Sequence, residues 1–278
     1  MKPQLIFLTH FLLFVSLVAC IAEAQPRGMF SPREEVEASV RMVPCEPKER
    51  LDGVRQLFKD AGATDDEIRI DSFDKGKTQN LVVIKKGETD ETIIVGAHYD
   101  RTNSGCGVVD NWTGVSIISH LYKSLKPLTT KKSYIFVAFD REEEGLIGSR
   151  KMADALTKEQ KQMTCSMVNF DSFGQALPMA LRNASSSKMV KLAEALGTEN
   201  KFKFQAVTIE GASSDSASFK AENIPSITLS GLGGNWMEIL HSPADKIDKV
   251  NMESVYYGYS FGLLFLARLD AATCGDYK

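Results

Sequence analysis

No G-x-S-x-G elbow and no H-E-x-x-H pair occur anywhere in the 278 residues. The first absence excludes the strand–turn–helix serine nucleophile of the α/β-hydrolases. The second excludes the helix-borne zinc site of many metalloproteases. Basic runs are missing and the net charge is −3, a value unchanged if the leader is removed because Lys2 and Glu23 cancel. Nucleic acid is therefore not an expected partner. Beyond the amino-terminal leader no apolar stretch is long enough to span a bilayer. The five cysteines follow no zinc-ribbon spacing. No internal repeat, low-complexity tract or linker divides the chain, so one α/β domain is expected.

The leader itself, "MKPQLIFLTHFLLFVSLVACIAEAQ", joins Lys2 to an apolar run and ends on Ala22 and Ala24 in A-x-A spacing. That is the form of a secretory signal peptide over residues 1–24, with a mature domain over 25–278. Leu17–Cys20 also resembles a lipoprotein box, in which Cys20 would carry a lipid anchor. Either way the chain is expected to be exported, secreted or periplasmic, where disulfides are permitted. Cys45, Cys106, Cys165 and Cys274 allow three pairings. Cys106 lies at the end of the sheet where the candidate site falls and Cys165 at the other. A strand of that length separates them by roughly 20 Å, so these two are expected not to pair.

Periodicity predicts helices over 31–43, with Ser31 as N-cap, and 46–63. Apolar runs predict strands over 80–86, 92–98 and 133–139, the last buried on both faces. Further strands are expected over 166–171, 178–182, 204–209 and 225–230. Helices are expected over 111–126, 147–155, 186–197, 214–222 and 250–269. The alternation implies a mixed, largely parallel sheet with helices on both faces.

On this map the polar residues converge. His98 ends one strand, Glu142 and Glu143 follow a second, and Asp171 ends a third. Asp110 is expected to open a helix, and His241 lies in the Gly-rich region 231–246. Ligands of open α/β sheets bind beyond the carboxyl ends of strands. Taken singly, an Asp at a strand end is a turn residue and "REEEG" a solvated loop. The histidines sharpen the case: of the three beyond the leader, His98 and His241 adjoin acid-rich loops, whereas His120 does not and is expected to be structural or on the surface.

In order, "GAHYD", "DNWTG", "FDREEEGLIGS", "NFDSFG", "SDSASF", "NIPSITLS" and "HSPADKID" resemble the motifs of the M28 zinc peptidases, which include secreted aminopeptidases and glutaminyl cyclases. The resemblance runs from about residue 80 to 265, within a domain core of about 80–268, and implies the α/β/α zinc-exopeptidase fold. It implies that His98, Asp110, Glu143, Asp171 and His241 bind two zinc ions bridged by Asp110. His98 and Asp171 would hold one ion, Glu143 and His241 the other. The chemistry agrees, since zinc takes imidazole nitrogen and carboxylate oxygen and paired ions need a bridging carboxylate. Asp100 could accept the second N–H of His98. Glu142 would be the general base, taking a proton from the metal-activated water and delivering it to the leaving amine. "GLIGS" sets this register, because the family pattern has a variable residue, here Glu144, before that glycine.

Three positions depart from the pattern. Leu240 stands where many of the aminopeptidases have an oxyanion-donating Tyr, Asp215 lacks the histidine that often follows it, and Cys106 is unusual so near Asp110. The expected function is a secreted zinc aminopeptidase acting on peptides with a free N-terminus. A glutaminyl-peptide cyclotransferase is the rival, and a non-catalytic binding ectodomain is a third class disfavoured by the complete ligand set.

Overall fold

The computed structural model describes residues 30–278. The expected signal sequence and Cys20, the residue expected to carry any lipid anchor, fall outside the described residues. Eight strands form one sheet in the order β1-β2-β4-β3-β5-β8-β6-β7. These are β1 (Ile68–Phe73), β2 (Thr78–Lys85), β3 (Thr92–His98), β4 (Ser133–Phe139), β5 (Thr164–Phe170), β6 (Met179–Leu181), β7 (Gln205–Val207) and β8 (Ser226–Ser230). The central strands β4, β3, β5 and β8 run parallel. β1, β2 and β6 are antiparallel to their inner neighbours.

The apolar runs of the central strands have a simple cause. Alternate residues point to opposite faces, and here both faces are covered. Leu81, Val83, Ile93, Val95, Phe136 and Val168 join the larger core, while Val82, Ile94, Val137, Phe139 and Met167 join the smaller. Over the larger face lie α1 (Arg33–Arg41), α2 (Pro47–Asp60), α3 (Thr113–Leu125), α6 (Ser187–Glu199) and α8 (Met252–Ala271). The smaller face is covered by α4 (Ile147–Ala155) and α7 (Ser216–Ala221), with α5 (Lys158–Met163) preceding β5. Among the described residues no helix is long and apolar enough to cross a membrane.

Sequence periodicity misses β1 and α5. The six residues of α5, KEQKQM, have no buried face. The helix is held instead by a reciprocal cap in which the Gln160 N–H donates to Thr157 Oγ1 (3.2 Å) and the Thr157 N–H to Gln160 Oε1 (2.8 Å). Two terminal assignments are corrected. Asp110 does not open a helix: its backbone is extended (φ −118°, ψ 89°) within an irregular turn, and α3 starts at Thr113. Ser31 does not cap α1, whose N-cap is Pro32. Instead the Ser31 hydroxyl lies 2.9 Å from His120 Nδ1.

The disulfides are Cys45–Cys106 and Cys165–Cys274. Cys106 and Cys165 do not pair, as expected from the length of β5. The first bridge ties the α1–α2 connection to the loop after β3, and the second ties the start of β5 to the carboxyl-terminal segment.

His120 is structural. It is buried, with Nε2 3.2 Å from Ser39 Oγ, so it links α3 to α1. Burial, with the charge of Lys123, pushes its pKa down to about 4. An unfolded histidine titrates near ~6.5, so between these values the unfolded chain binds the extra proton. The stabilisation is complete above the unfolded pKa and is lost as pH falls toward the folded one. It amounts to about 3 kcal/mol. Urea unfolding at neutral and acid pH should show wild type losing about that much more stability than His120→Gln. Equal losses would rule the linkage out.

Candidate active site

β3, β4 and β5 deliver their polar residues to one edge because all three end there in parallel. Gly96 pairs with Asn169, which brings His98 level with Asp171, and His98 pairs with Phe139, just ahead of Glu142 and Glu143. The loop after β3 returns Asp110 over this edge, and the loop after β8 brings in His241.

Asp110 stands between the histidines. Its Oδ1 is 3.1 Å from His98 Nε2, and its Oδ2 is 3.1 Å from His241 Nε2. Asp171 Oδ1 is 3.5 Å from His98 Nε2, and Glu143 Oε2 is 3.0 Å from His241 Nε2. Every residue expected at the site is therefore at one locus. Two trios have donor atoms within 4.8 Å of one another, His98 with Glu142 and Asp171, and Asp110 with Glu143 and His241. Either could hold a metal ion. Glu142 stands as near to His98 and Asp171 as a ligand would.

Asp100 faces His98 and also the turn after β4. Its Oδ1 is 3.3 Å from His98 Nδ1, but that nitrogen has no aligned hydrogen-bond partner. The aligned bonds come from the backbone N–H groups of Glu142 (3.0 Å) and Glu143 (3.1 Å), so Asp100 clamps the turn that carries both glutamates.

The electrostatics reflect crowding of acids. Burial raises the Glu142 pKa well above the carboxylate range, and burial plus the Asp110 charge brings Glu143 to about 8. Burial disfavours a charged His98 ring, yet Glu142, Asp100, Asp110 and Asp171 together hold its pKa well above the ordinary value. The hydrogen bond to Asp110 pushes His241 up to about 9. Burial opposes charge on Asp110, but His241 and His98 outweigh it and keep the carboxylate below its usual range. Carboxylates this close cannot all ionise without positive charge between them.

Several supporting residues carry no signal in the sequence reading. Ser214 Oγ donates to Asp171 Oδ2 (2.6 Å) and Ser172 Oγ to Oδ1 (2.9 Å). Asn111 Oδ1 accepts from the N–H groups of Gly114 and Ser172, both at 3.0 Å, joining the start of α3 to the end of β5. Arg50, on α2 and fully buried, donates to the carbonyls of Tyr99, Pro44, Cys106 and Gly107. Asn111, Ser172 and Ser214 lie within the motifs quoted above, with no role assigned to them there; Arg50 lies outside all of them. Asp215 is fully buried and neither carboxylate oxygen has a hydrogen-bond partner among the described residues.

A cavity of about 390 Å³ opens beside Asp110, Glu142, Asp171 and His241. Leu181, Ile209, Leu232, Trp236 and Leu240 give it apolar walls. Leu240, the position lacking the Tyr hydroxyl, is thus part of the wall.

Comparison with known proteins agrees with this architecture. Aminopeptidase YwaD of Bacillus subtilis is 26% identical over 199 residues, 67% of this chain and 43% of that protein. The chain spans less than half the length of the curated relatives it matches. A zinc aminopeptidase structure from Bacillus subtilis superposes with a TM-score of 0.63 at 23% identity, covering 72% of this chain and 54% of that one. An Acidobacteriales bacterium glutaminyl cyclase superposes with a TM-score of 0.75 at 15% identity, covering 89% and 97%. At these identities the structural likenesses establish the fold. The sequence profile of peptidase family M28 matches residues 80–256, well over half of the chain. By that match, the chain belongs to peptidase family M28.

Proposed function

We propose that this chain is an exported zinc-dependent aminopeptidase with one catalytic domain over residues 25–278. The observation that carries the reading is Asp110, whose two oxygens each face a different histidine at 3.1 Å. Such an arrangement suits a carboxylate shared by two ions.

The donor set fits zinc, being imidazole nitrogen and carboxylate oxygen throughout. Glu143 Oε1 is buried without a hydrogen-bond partner, which supports a metal-facing role. His98, Asp110 and Asp171 would hold one ion, and Asp110, Glu143 and His241 the other. Zinc held by these residues would polarise the scissile carbonyl and acidify water. Glu142, half-buried at this edge, takes the proton of the attacking water and returns it to the leaving amine. Asp100 keeps Glu142 and Glu143 in place through their backbone N–H groups. The apolar cavity receives the first side chain of the peptide. Two disulfides support an oxidising, extracytoplasmic compartment, consistent with the signal sequence and, if acylated, an anchor at Cys20.

The rival, glutaminyl cyclisation, is favoured by one observation, that the chain covers 97% of the bacterial cyclase. Leucine p-nitroanilide, its N-acetylated form and an N-terminal glutaminyl peptide distinguish the readings. Expected are hydrolysis of the first substrate alone among the two anilides, and loss of that activity with a chelator. Cyclisation with ammonia release and no hydrolysis would install the rival. Inertness toward all of them would indicate a binding ectodomain.

A further inference from the structure

The loops carrying Asp110 and His241 follow β3 and β8, which are not neighbours in the sheet because β5 lies between them. Ladder hydrogen bonds therefore do not set the distance between the two loops. One buried residue, Asp245, bonds to both. Asp245 Oδ1 accepts the N–H groups of Val108 (2.9 Å) and Val109 (2.7 Å), and Oδ2 accepts that of Asp110 (3.1 Å). Its own carbonyl accepts the Cys106 N–H at 2.8 Å. On the other side, the Asp245 N–H donates to Ser242 O (3.1 Å), closing the turn Ser242–Asp245 that directly follows His241. The loops are in direct contact. Gly105 has φ +71°, and a Cβ there would fall 2.5 Å from Ser242 O and 3.0 Å from Asp245 O.

We propose that Asp245 is a positioning residue that joins the Asp110 and His241 loops into one unit and thereby sets the spacing of the two metal positions. The assignment rests on the metallopeptidase reading above. Asp245 is buried and three consecutive backbone donors point at its carboxylate. Both oxygens are needed, one for Val108 and Val109 and the other for Asp110. Asparagine has nearly the same shape but only one acceptor oxygen. In Asp245→Asn the amide group turns its own N–H toward one of these donors and pushes it away.

The test measures zinc affinity by chelator competition, together with the melting temperature of the zinc-free protein. Asp245→Asn should bind zinc about 10–100-fold more weakly, the scale of losing a residue that orients a ligand, while the zinc-free melting temperature changes little. Gly105→Ala, which leaves the carboxylate intact but forces the loops apart, should weaken zinc in the same direction. A folded Asp245→Asn that binds two zinc ions within twofold of wild type would overturn the proposal. Hydrogen exchange on the zinc-free wild type gives a second reading that needs no variant. The N–H groups of Val108, Val109 and Asp110 should exchange slowly, and rapid exchange would also overturn it. If wild type binds no zinc, the metallopeptidase reading fails, and exchange alone then tests whether the loops are joined.

Discussion

Glu142→Gln is expected to keep zinc at nearly full occupancy while turnover falls by at least the roughly 10²–10⁴-fold associated with a lost general base. Glutamine preserves the shape of the side chain but cannot take the proton of the attacking water, so substrate affinity should change little. Glu143→Gln should fail in another way. Its Oε2 lies 3.0 Å from His241 Nε2, and removing that charge should empty or weaken one metal position. Thermal stability should fall with it, because bound metal stabilises the folded state by mass action. Zinc stoichiometry and melting temperature for the two variants decide between the roles. Loss of zinc from Glu142→Gln with retention in Glu143→Gln would exchange them, an outcome with physical meaning because Glu142 also lies within ligand distance of His98 and Asp171. Full zinc and full activity in both variants would remove the metallopeptidase assignment.

Arg50→Met should be the most destabilising single change away from the candidate ligands. The guanidinium is fully buried, donates to four carbonyls and lies 5.2 Å from the centre of the Trp112 ring. Burial lowers its pKa only to about 10, with Asp100, Asp245 and Asp110 favouring the cation, so it stays charged at neutral pH. Methionine fills part of the volume and supplies no donor. Gly107 O keeps the Trp112 N–H at 3.1 Å, and the three carbonyls left without partners, at roughly 1 kcal/mol each, give about 3 kcal/mol. For a domain of this size that is a drop of about 6–12 °C in melting temperature. Three of the four carbonyls, those of Tyr99, Cys106 and Gly107, belong to the loop between His98 and Asp110, so zinc binding should weaken as well. Calorimetry with and without zinc measures both effects. A shift below about 2 °C would mean that water replaces the guanidinium at little cost, contrary to its complete burial.

The order of strands and helices was largely legible because burial on two faces turns each central strand into an apolar run. Residues 92–98 and 133–139 are strands with those bounds. A polar residue at the end of such a run stands out, which is how His98, Glu142, Glu143 and Asp171 could be placed at one sheet edge. Where no buried face exists the signal vanishes. β1 is a half-exposed edge strand and α5 has no buried residue, and both were missed. The Thr157–Gln160 cap was the available clue to α5.

By itself, then, the sequence determined the α/β class, the edge on which chemistry gathers and the residues able to hold a metal. The class and the edge follow from local patterns, in which alternation, run length and turn composition act over a few neighbouring positions, and the metal-holding set follows from the resemblance to the family motifs. Only the tertiary structure decided which oxygen of Asp110 faces which histidine, and that Asp100 grips the backbone of Glu142 and Glu143. It alone revealed that Arg50 holds the Asp110 loop by its carbonyls and Asp245 by its N–H groups, across 56 and 137 residues of chain. A hydrogen bond between groups so far apart in sequence imposes no periodicity on either segment. It depends on where the folded backbone leaves a donor or acceptor without a partner, and that is settled only when the strands and helices have packed.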